Sequence, residues 1–467
     1  MIDGLKVDDS IIIAGGGIAG LFAASVLLEK GFDNITIVER GDVVGGLLKS
    51  KIYPSPLGDM VPYSFDYGTH FVIKTGNENI DRVLDLDINE QEYYQYSNSL
   101  PEGQYINSKL YCDSGCANAT LFSSEVFEKI ESEISDLIKN QQPKCGDNLK
   151  ELFLSKYGET ATKNIYEPAL EKFTGQNIEG LDTITETAFN SSRIILKGRQ
   201  SSKKLKESSG WDDVVAYAHY LDGRSAIKKY YPKESGVDLW VKKIEARLIL
   251  GGVRMLKLSE IETLYVDKKR IKTVKLGDKG NIDCDYLIWT LPPIFLSKMT
   301  DIKVPSRPPV FRSVSIINII TDTMPVKGPY WFTIYDPDIR SFRVTVYDNF
   351  TNKGSGRKYR LSVEVLHNND FKGSAADQKS IFHELKTMNI LPDDALLLWS
   401  CHELIPVGFP ILKSGDVEIY EQQIDVLQQS LENLYIVNRY RNGSQGQSAI
   451  MQNIYDGINS LFRKVAA

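Results

Sequence analysis

The chain has 467 residues, 42% of them hydrophobic and 25% charged, with a formal net charge of −6. That length leads us to expect about three domain-sized units around a sizeable interior, and the mild acidity argues against general nucleic-acid affinity. No run approaches the ~20 apolar residues of a membrane span, no secretory leader is legible, and the five scattered cysteines (Cys112, Cys116, Cys145, Cys284, Cys401) fit reduced thiols, so the expected compartment is the cytoplasm.

The first element is an apolar strand, Ile11-Ile12-Ile13-Ala14, that turns through Gly15-Gly16-Gly17 into a helix beginning Ile18-Ala19-Gly20. Gly15 allows the tight turn, Gly17 lets backbone approach a diphosphate, and Gly20 lets helix and strand close. A second strand, Ile35 to Val38, ends at Glu39, whose carboxylate can accept from the ribose hydroxyls of an adenosine and would repel a 2′-phosphate. Strand, glycines, helix and acidic strand end follow in the order of a dinucleotide-binding βαβ unit.

Short strands and turns are expected from Tyr94 to Leu121. Ser123 or Ser124 then caps a helix carrying Phe127, Ile130, Ile134, Leu137 and Ile138, and Leu149, Leu152, Phe153 and Tyr157 open another. Gly175 reads as a helix stop. Lys203, Lys204 and Lys206 lie in a segment, 197–210, expected to be a mobile, solvated loop. Cys112 and Cys116 are expected to be solvent-side thiols, with no partner pair to complete a metal site.

From Val237 a helix to Leu248 precedes alternating strands at Arg254–Leu258, Ile261–Val266, Ile271–Leu276 and Tyr286–Trp289, two of them joined by the charged turn Asp267-Lys268-Lys269-Arg270. Residues 314–365 read as an antiparallel sheet. A strand at Leu434–Val437, a glycine-bearing turn and a final helix from about Gln447 to Lys464 end the pattern.

Three further segments narrow the dinucleotide: Glu39-Arg40 followed by Gly45-Gly46-Leu47, then Phe65-Asp66-Tyr67-Gly68-Thr69-His70, then Asn433 to Tyr440 before the last helix. Together they resemble the flavoenzyme group that includes amine oxidases, protoporphyrinogen oxidase and UDP-galactopyranose mutase. The resemblance implies FAD as cofactor. It also implies an α/β fold, with a Rossmann-like FAD-binding domain of the glutathione-reductase type, an antiparallel substrate sheet and a helical domain. The expected divisions are residues 1–75, 232–296 and 412–467 for the FAD domain, 121–231 for the helices, and 76–120 with 297–411 for the sheet.

By the same resemblance the cofactor contacts are Gly15, Gly17, Ile18, Ala19, Gly20, Glu39, Arg40, Gly45, Gly46, Leu47, Gly68, Thr69, His70, Ile261, Arg439, Ser448, Ala449 and Ile450. The start of the last helix would place partial positive charge beside the flavin. Arg343 and Arg439 fall on arginine positions that grip a substrate diphosphate in the mutases, and Trp331, Tyr335 and Tyr347 are expected to line the pocket. His70 and Arg343 are the catalytic candidates.

The likeness is strongest toward the mutases, through Tyr166-Glu167-Pro168, Lys172-Phe173-Thr174-Gly175, Tyr231-Pro232-Lys233 and the segment Phe342 to Phe350. It departs from them where Phe350 and Phe409 replace tyrosines, where Glu167 stands in place of an arginine, and where the segment Gly443 to Gln452 replaces an aromatic-rich turn. The expected function is a flavoenzyme acting on a nucleotide-activated or anionic sugar other than UDP-galactose, in surface-glycan biosynthesis. An oxidase or dehydrogenase of the amine oxidase or protoporphyrinogen oxidase type is the alternative. Oligomeric state stays open.

Overall fold

The computed structural model describes residues 6–85, 88–97, 100–217, 228–351, 358–441 and 446–463. His219, Lys464 and the turn residues Gly443, Ser444 and Gln445 lie outside the described residues. Strand Ile11–Ala14 is buried at every position because it separates two cores: Ile11 and Ile13 belong to one, Ile12 and Ala14 to the other. A strand covered on both faces reads as a continuous apolar run rather than an alternating one.

That strand sits at the centre of a five-stranded parallel sheet ordered Arg254–Leu256, Ile35–Val38, Ile11–Ala14, Tyr286–Trp289, Leu434–Ile436. The chain builds outward to one side of Ile11–Ala14 and later returns to fill the other. The strand order therefore reverses beside it, which opens a crevice at the carboxyl ends of the strands. Helix Ile18–Glu29 has no polar face, since it packs between helices Asp238–Leu250 and Gln447–Arg463 as well as on the sheet.

A seven-stranded sheet runs in the order Leu397–Ile411, Val310–Thr321, Tyr359–His367, Arg343–Val346, Trp331–Ile334, Glu102–Ile106, Lys109–Tyr111. All pairs are antiparallel except Trp331–Ile334 with Glu102–Ile106, which places Trp331 beside Glu102. Phe332, Ile334, Val344 and Val346 turn to a core under helix Ala375–Thr387, through Ile381 and Leu385. The two-residue period of a strand then sends Trp331, Thr333 and Arg343 to the opposite face.

Helix Ser124–Lys139 forms with the expected cap, Ser123 Oγ accepting from the Val126 N–H, and helix Leu149–Ala161 is capped by the Asn148 side chain, which accepts from the Glu151 N–H. Phe153, Tyr157 and Tyr166 stack within the helical layer at centroid separations of 4.6 to 5.6 Å. Gly175 ends helix Glu167–Thr174 at φ +66°.

Two expectations are corrected. The segment expected to be a mobile loop contains helix Arg199–Lys206, in which Ser202 and Lys206 are buried. The Lys206 ammonium reaches the Tyr217 carbonyl and lies 3.1 Å from Asp212, so a lysine-rich run is anchored by one stem and a paired head. Cys116 is half-buried rather than solvent-side, and burial pushes its thiol up to about 11, while Cys112 is exposed as expected.

Candidate active site

The glycine turn is built by backbone alone. Gly15 adopts φ +100° and donates its N–H to the Val38 carbonyl at 2.9 Å, while a Cβ on Gly20 would fall 2.0 Å from the Gly15 carbonyl oxygen. Only glycine lets this helix close onto this turn. Gly17 and Gly46 face each other, and a Cβ on Gly46 would stand 3.4 Å from the Gly17 Cα with nothing else within 4 Å of either. This pair frames open space.

Glu39 binds the turn from the neighbouring strand. Its Oε2 accepts the Gly16 N–H at 2.8 Å and its Oε1 the Gly41 N–H at 2.6 Å. Each oxygen keeps further acceptor capacity. The carboxylate thus holds two loops and still presents acceptors to the crevice that it lines.

From this cradle a cavity of about 1030 Å³ extends to the face of the seven-stranded sheet. Gln447, Ile450 and Met451, at the start of the last helix, line its floor. Opposite them the segment Thr69 to Phe71 enters from strand Tyr63–Asp66. That strand is tied down by Asp66, which accepts from Ser50 Oγ at 2.6 Å, Tyr231 OH at 2.7 Å and the Val237 N–H at 3.0 Å. Burial raises the Asp66 carboxyl to about 6 in spite of these three donors.

His70 and Gln447 both line the cavity, and the Nε2 of each is buried without a hydrogen-bond partner. Burial holds the imidazole down to about 4, with the Arg343 guanidinium adding to the effect. His70 is therefore neutral at physiological pH. Because its folded value lies below the ordinary 6.5, the unfolded chain binds the extra proton first, and stability falls as pH drops from about 6.5 to about 4. The loss is at most about 3.4 kcal/mol. Urea unfolding of wild type and H70Q at pH 7 and pH 4.5 checks this: the wild type should lose more stability over that interval, and equal losses would refute it.

Arg343 reaches the cavity from the sheet, but its fork is filled. Nε donates to Glu364 Oε1 and Nη2 to Glu364 Oε2, both at 2.7 Å. Trp331 and Thr333 flank it on the adjoining strand, and Lys229 lines the cavity from strand Lys228–Pro232. Arg439 and Lys49 complete the cationic lining.

Comparison with known proteins places this arrangement. Residues 13–85 match the NAD(P)-binding Rossmann-like domain family. An uncharacterized protein of Acanthamoeba polyphaga mimivirus is 30% identical over 115 residues, which is 24% of this chain and only 23% of that relative. Reduced UDP-galactopyranose mutase superposes with a TM-score of 0.75 at 18% identity, covering 99% of this chain and 94% of the other. A candidate protoporphyrinogen oxidase from Exiguobacterium sp. 255-15 gives 0.68 at 15% identity, over 99% and 100%. Putrescine oxidase with bound putrescine gives 0.61 at 12%, over 98% and 99%. The fold is the one shared by this mutase and these oxidases.

Within this fold, Gly15, Gly17, Ile18, Ala19, Glu39, Gly45, Gly46, Leu47, Thr69, His70, Trp331, Arg343, Arg439 and Ile450 all reach the cavity. Other expected contacts do not line it. Tyr335 is buried in the helical-side core, where its OH donates to the Gly115 carbonyl at 2.9 Å. Tyr347 is fully buried, with its OH accepting from the Asp66 N–H at 2.9 Å. Ile261 belongs to the core under the parallel sheet, and Arg40 is an exposed side chain 4.0 Å from Glu260. Gly20 is a packing glycine and Gly68 backs the Arg343–Glu364 pair. Ser448 and Ala449 are helical, but it is their neighbours Gln447, Ile450 and Met451 that line the cavity.

The departures from the mutases also have positions. Phe350 lies in an aromatic cluster with Phe71 and Tyr231, at 5.3 and 5.0 Å, and Phe409 packs on Phe189 at 4.9 Å. Glu167 lies 3.8 Å from Lys150 and does not line the cavity. Sequence reasoning missed Lys229, Glu364 and the anchoring role of Asp66. Glu364 had a signal, as the one charge in the apolar run Leu361 to Leu366. The lysine pair before Tyr230 had none, since the sequence repeats such pairs at Lys203-Lys204, Lys242-Lys243 and Lys268-Lys269.

Proposed function

We propose that the protein is an FAD-dependent enzyme acting on a small anionic molecule, with a nucleotide-activated sugar as the substrate class. The observation that carries the reading is the single cavity joining the glycine cradle and Glu39 to the wall of His70, Trp331 and Arg343. Its residues fit a flavin dinucleotide: the Gly17–Gly46 frame leaves room that any side chain would fill, Glu39 keeps acceptors for ribose hydroxyls, and the buried Gln447 Nε2 is an unused donor at the start of a helix.

When bound, FAD supplies the electron-pair chemistry, as hydride acceptor or, reduced, as nucleophile. The chain does the rest. Gly15 to Ala19 and Glu39 would hold the adenosine diphosphate half, and the N-terminal turn of helix Gln447–Arg463 would favour negative charge at the other end. Neutral His70 offers a ring nitrogen to a hydroxyl or ring atom within the cavity, and Phe71, Trp331 and Phe342 exclude water. The likeness to UDP-galactopyranose mutase over nearly the whole chain supports the sugar-nucleotide reading over the amine oxidase one.

Anaerobic titration tests it. The purified protein is reduced and titrated with UDP and UDP-sugars, and in its oxidised form with putrescine, while the flavin spectrum is followed. A nucleotide response that needs reduced flavin is the expected result, and bleaching of oxidised flavin by the amine would replace the reading with an oxidase. Separately, E39A should retain FAD about 10-fold more weakly, the worth of one charge-assisted hydrogen bond. Full occupancy of that variant after dialysis would refute the assignment of Glu39.

A further inference from the structure

We infer that Lys229 is the specificity-determining cation of the cavity, the residue that meets the negatively charged group of the substrate. The inference rests on the reading of the cavity as a site for an anionic small molecule, and it moves the anion contact away from Arg343. Four cationic side chains line the cavity: Lys49, Lys229, Arg343 and Arg439. They are not equivalent.

Arg343 is spent. Two of its five donors go to Glu364 in a fork-to-fork pair, and Glu364 is buried enough that its charge cancels that of the guanidinium within the wall. A ligand anion approaching Arg343 meets a neutral pair. Arg439 is exposed at the end of the strand Leu434–Ile436, and the Lys49 ammonium stands 5.8 Å from the centroid of the Tyr67 ring. Water screens the exposed Arg439, while Lys49 is half-buried and already has the face of the Tyr67 ring as its neighbour.

Lys229 differs from all three. It is half-buried on a strand paired on both sides, to Ile73 and to Tyr96, so its backbone is fixed. Among the described residues its ammonium has no hydrogen-bond acceptor and no carboxylate within ion-pair distance. Glu102, beside Trp331 on the facing sheet, acts on it only through the field, and desolvation lowers the lysine's pKa. A half-buried ammonium that lines a cavity and has no acceptor among the described residues is free to take one from outside the chain. Ile73, Phe71 and Trp331 surround this part of the cavity with apolar surface, where a charge-assisted contact is worth more than in water. The complementary ligand group is an oxyanion, phosphate or carboxylate.

The test uses the full chain as purified, with binding read by calorimetry so that it does not depend on flavin colour. UDP is the phosphate probe and glucuronate the carboxylate probe, against wild type, K229M and K229R. Methionine keeps the apolar stem, so melting temperature and flavin content should match wild type. We expect wild type to bind at least one probe, K229M to bind it at least about 10-fold more weakly, and K229R to stay within a few-fold of wild type. The probe that binds identifies the source of the oxyanion. Equal affinity in wild type and K229M, or no binding of either probe to wild type, overturns the inference. Colourless protein that refuses added FAD overturns the flavoenzyme reading instead, and leaves the lysine result standing on its own.

Discussion

Replacing Glu364 by alanine should destabilise the protein by about 3 kcal/mol. This is the low end for breaking a buried ion pair, since 28% of the Arg343 side chain stays accessible while only 6% of Glu364 does. The loss comes from stranding the guanidinium. Nε and Nη2 would each lose a 2.7 Å acceptor in the middle of a seven-stranded sheet. The double variant R343M/E364L removes both charges and should recover most of the stability, because an apolar pair of similar volume carries no desolvation cost. Urea unfolding of the two variants decides the point. If E364A is as stable as wild type, the pair is not what holds Arg343, and the argument that its charge is spent fails with it.

Replacing Gly20 by valine should abolish FAD retention and cost roughly 3 kcal/mol, the upper part of the range for overpacking a tight contact. The Cβ alone would lie 2.0 Å from the Gly15 carbonyl oxygen. The turn cannot yield to it: the Gly15 N–H is bonded to Val38, and Thr290 Oγ1 donates to the Ala14 carbonyl at 2.6 Å on the other side. Relief must come from helix Ile18–Glu29 moving outward, which opens the crevice that the turn shapes. Flavin content after purification and the urea midpoint are the measurements. A yellow G20V variant with wild-type stability would mean that the helix has slack the packing does not show.

The candidate site was legible in proportion to how local its physics is. Gly15, Gly17 and Gly20 act through their own backbone and the next turn, and Glu39 closes the same βαβ unit, so spacing alone exposed them. Trp331, Tyr335 and Tyr347 sit on one strand-rich stretch with similar composition, yet only Trp331 lines the cavity. Tyr335 and Tyr347 share the parity of Trp331 and Arg343 but lie just past the ends of strands Trp331–Ile334 and Arg343–Val346, so the alternation stops before them and tertiary packing takes both rings into the core. Arg343 was recognisable as an arginine but not as a paired one, since its partner is supplied by the neighbouring strand Tyr359–His367. Lysines 203, 204 and 206 read alike in sequence, and burial singles out one.

From residues alone followed a dinucleotide-binding unit and the family its motifs resemble, because a glycine turn, its helix and its acidic strand end are contiguous and obey short-range geometry. Tertiary structure alone decided which cations are free and which aromatic rings are lining rather than core. Those outcomes depend on desolvation and on partners far apart in the chain, brought together only when the sheets close over the cavity.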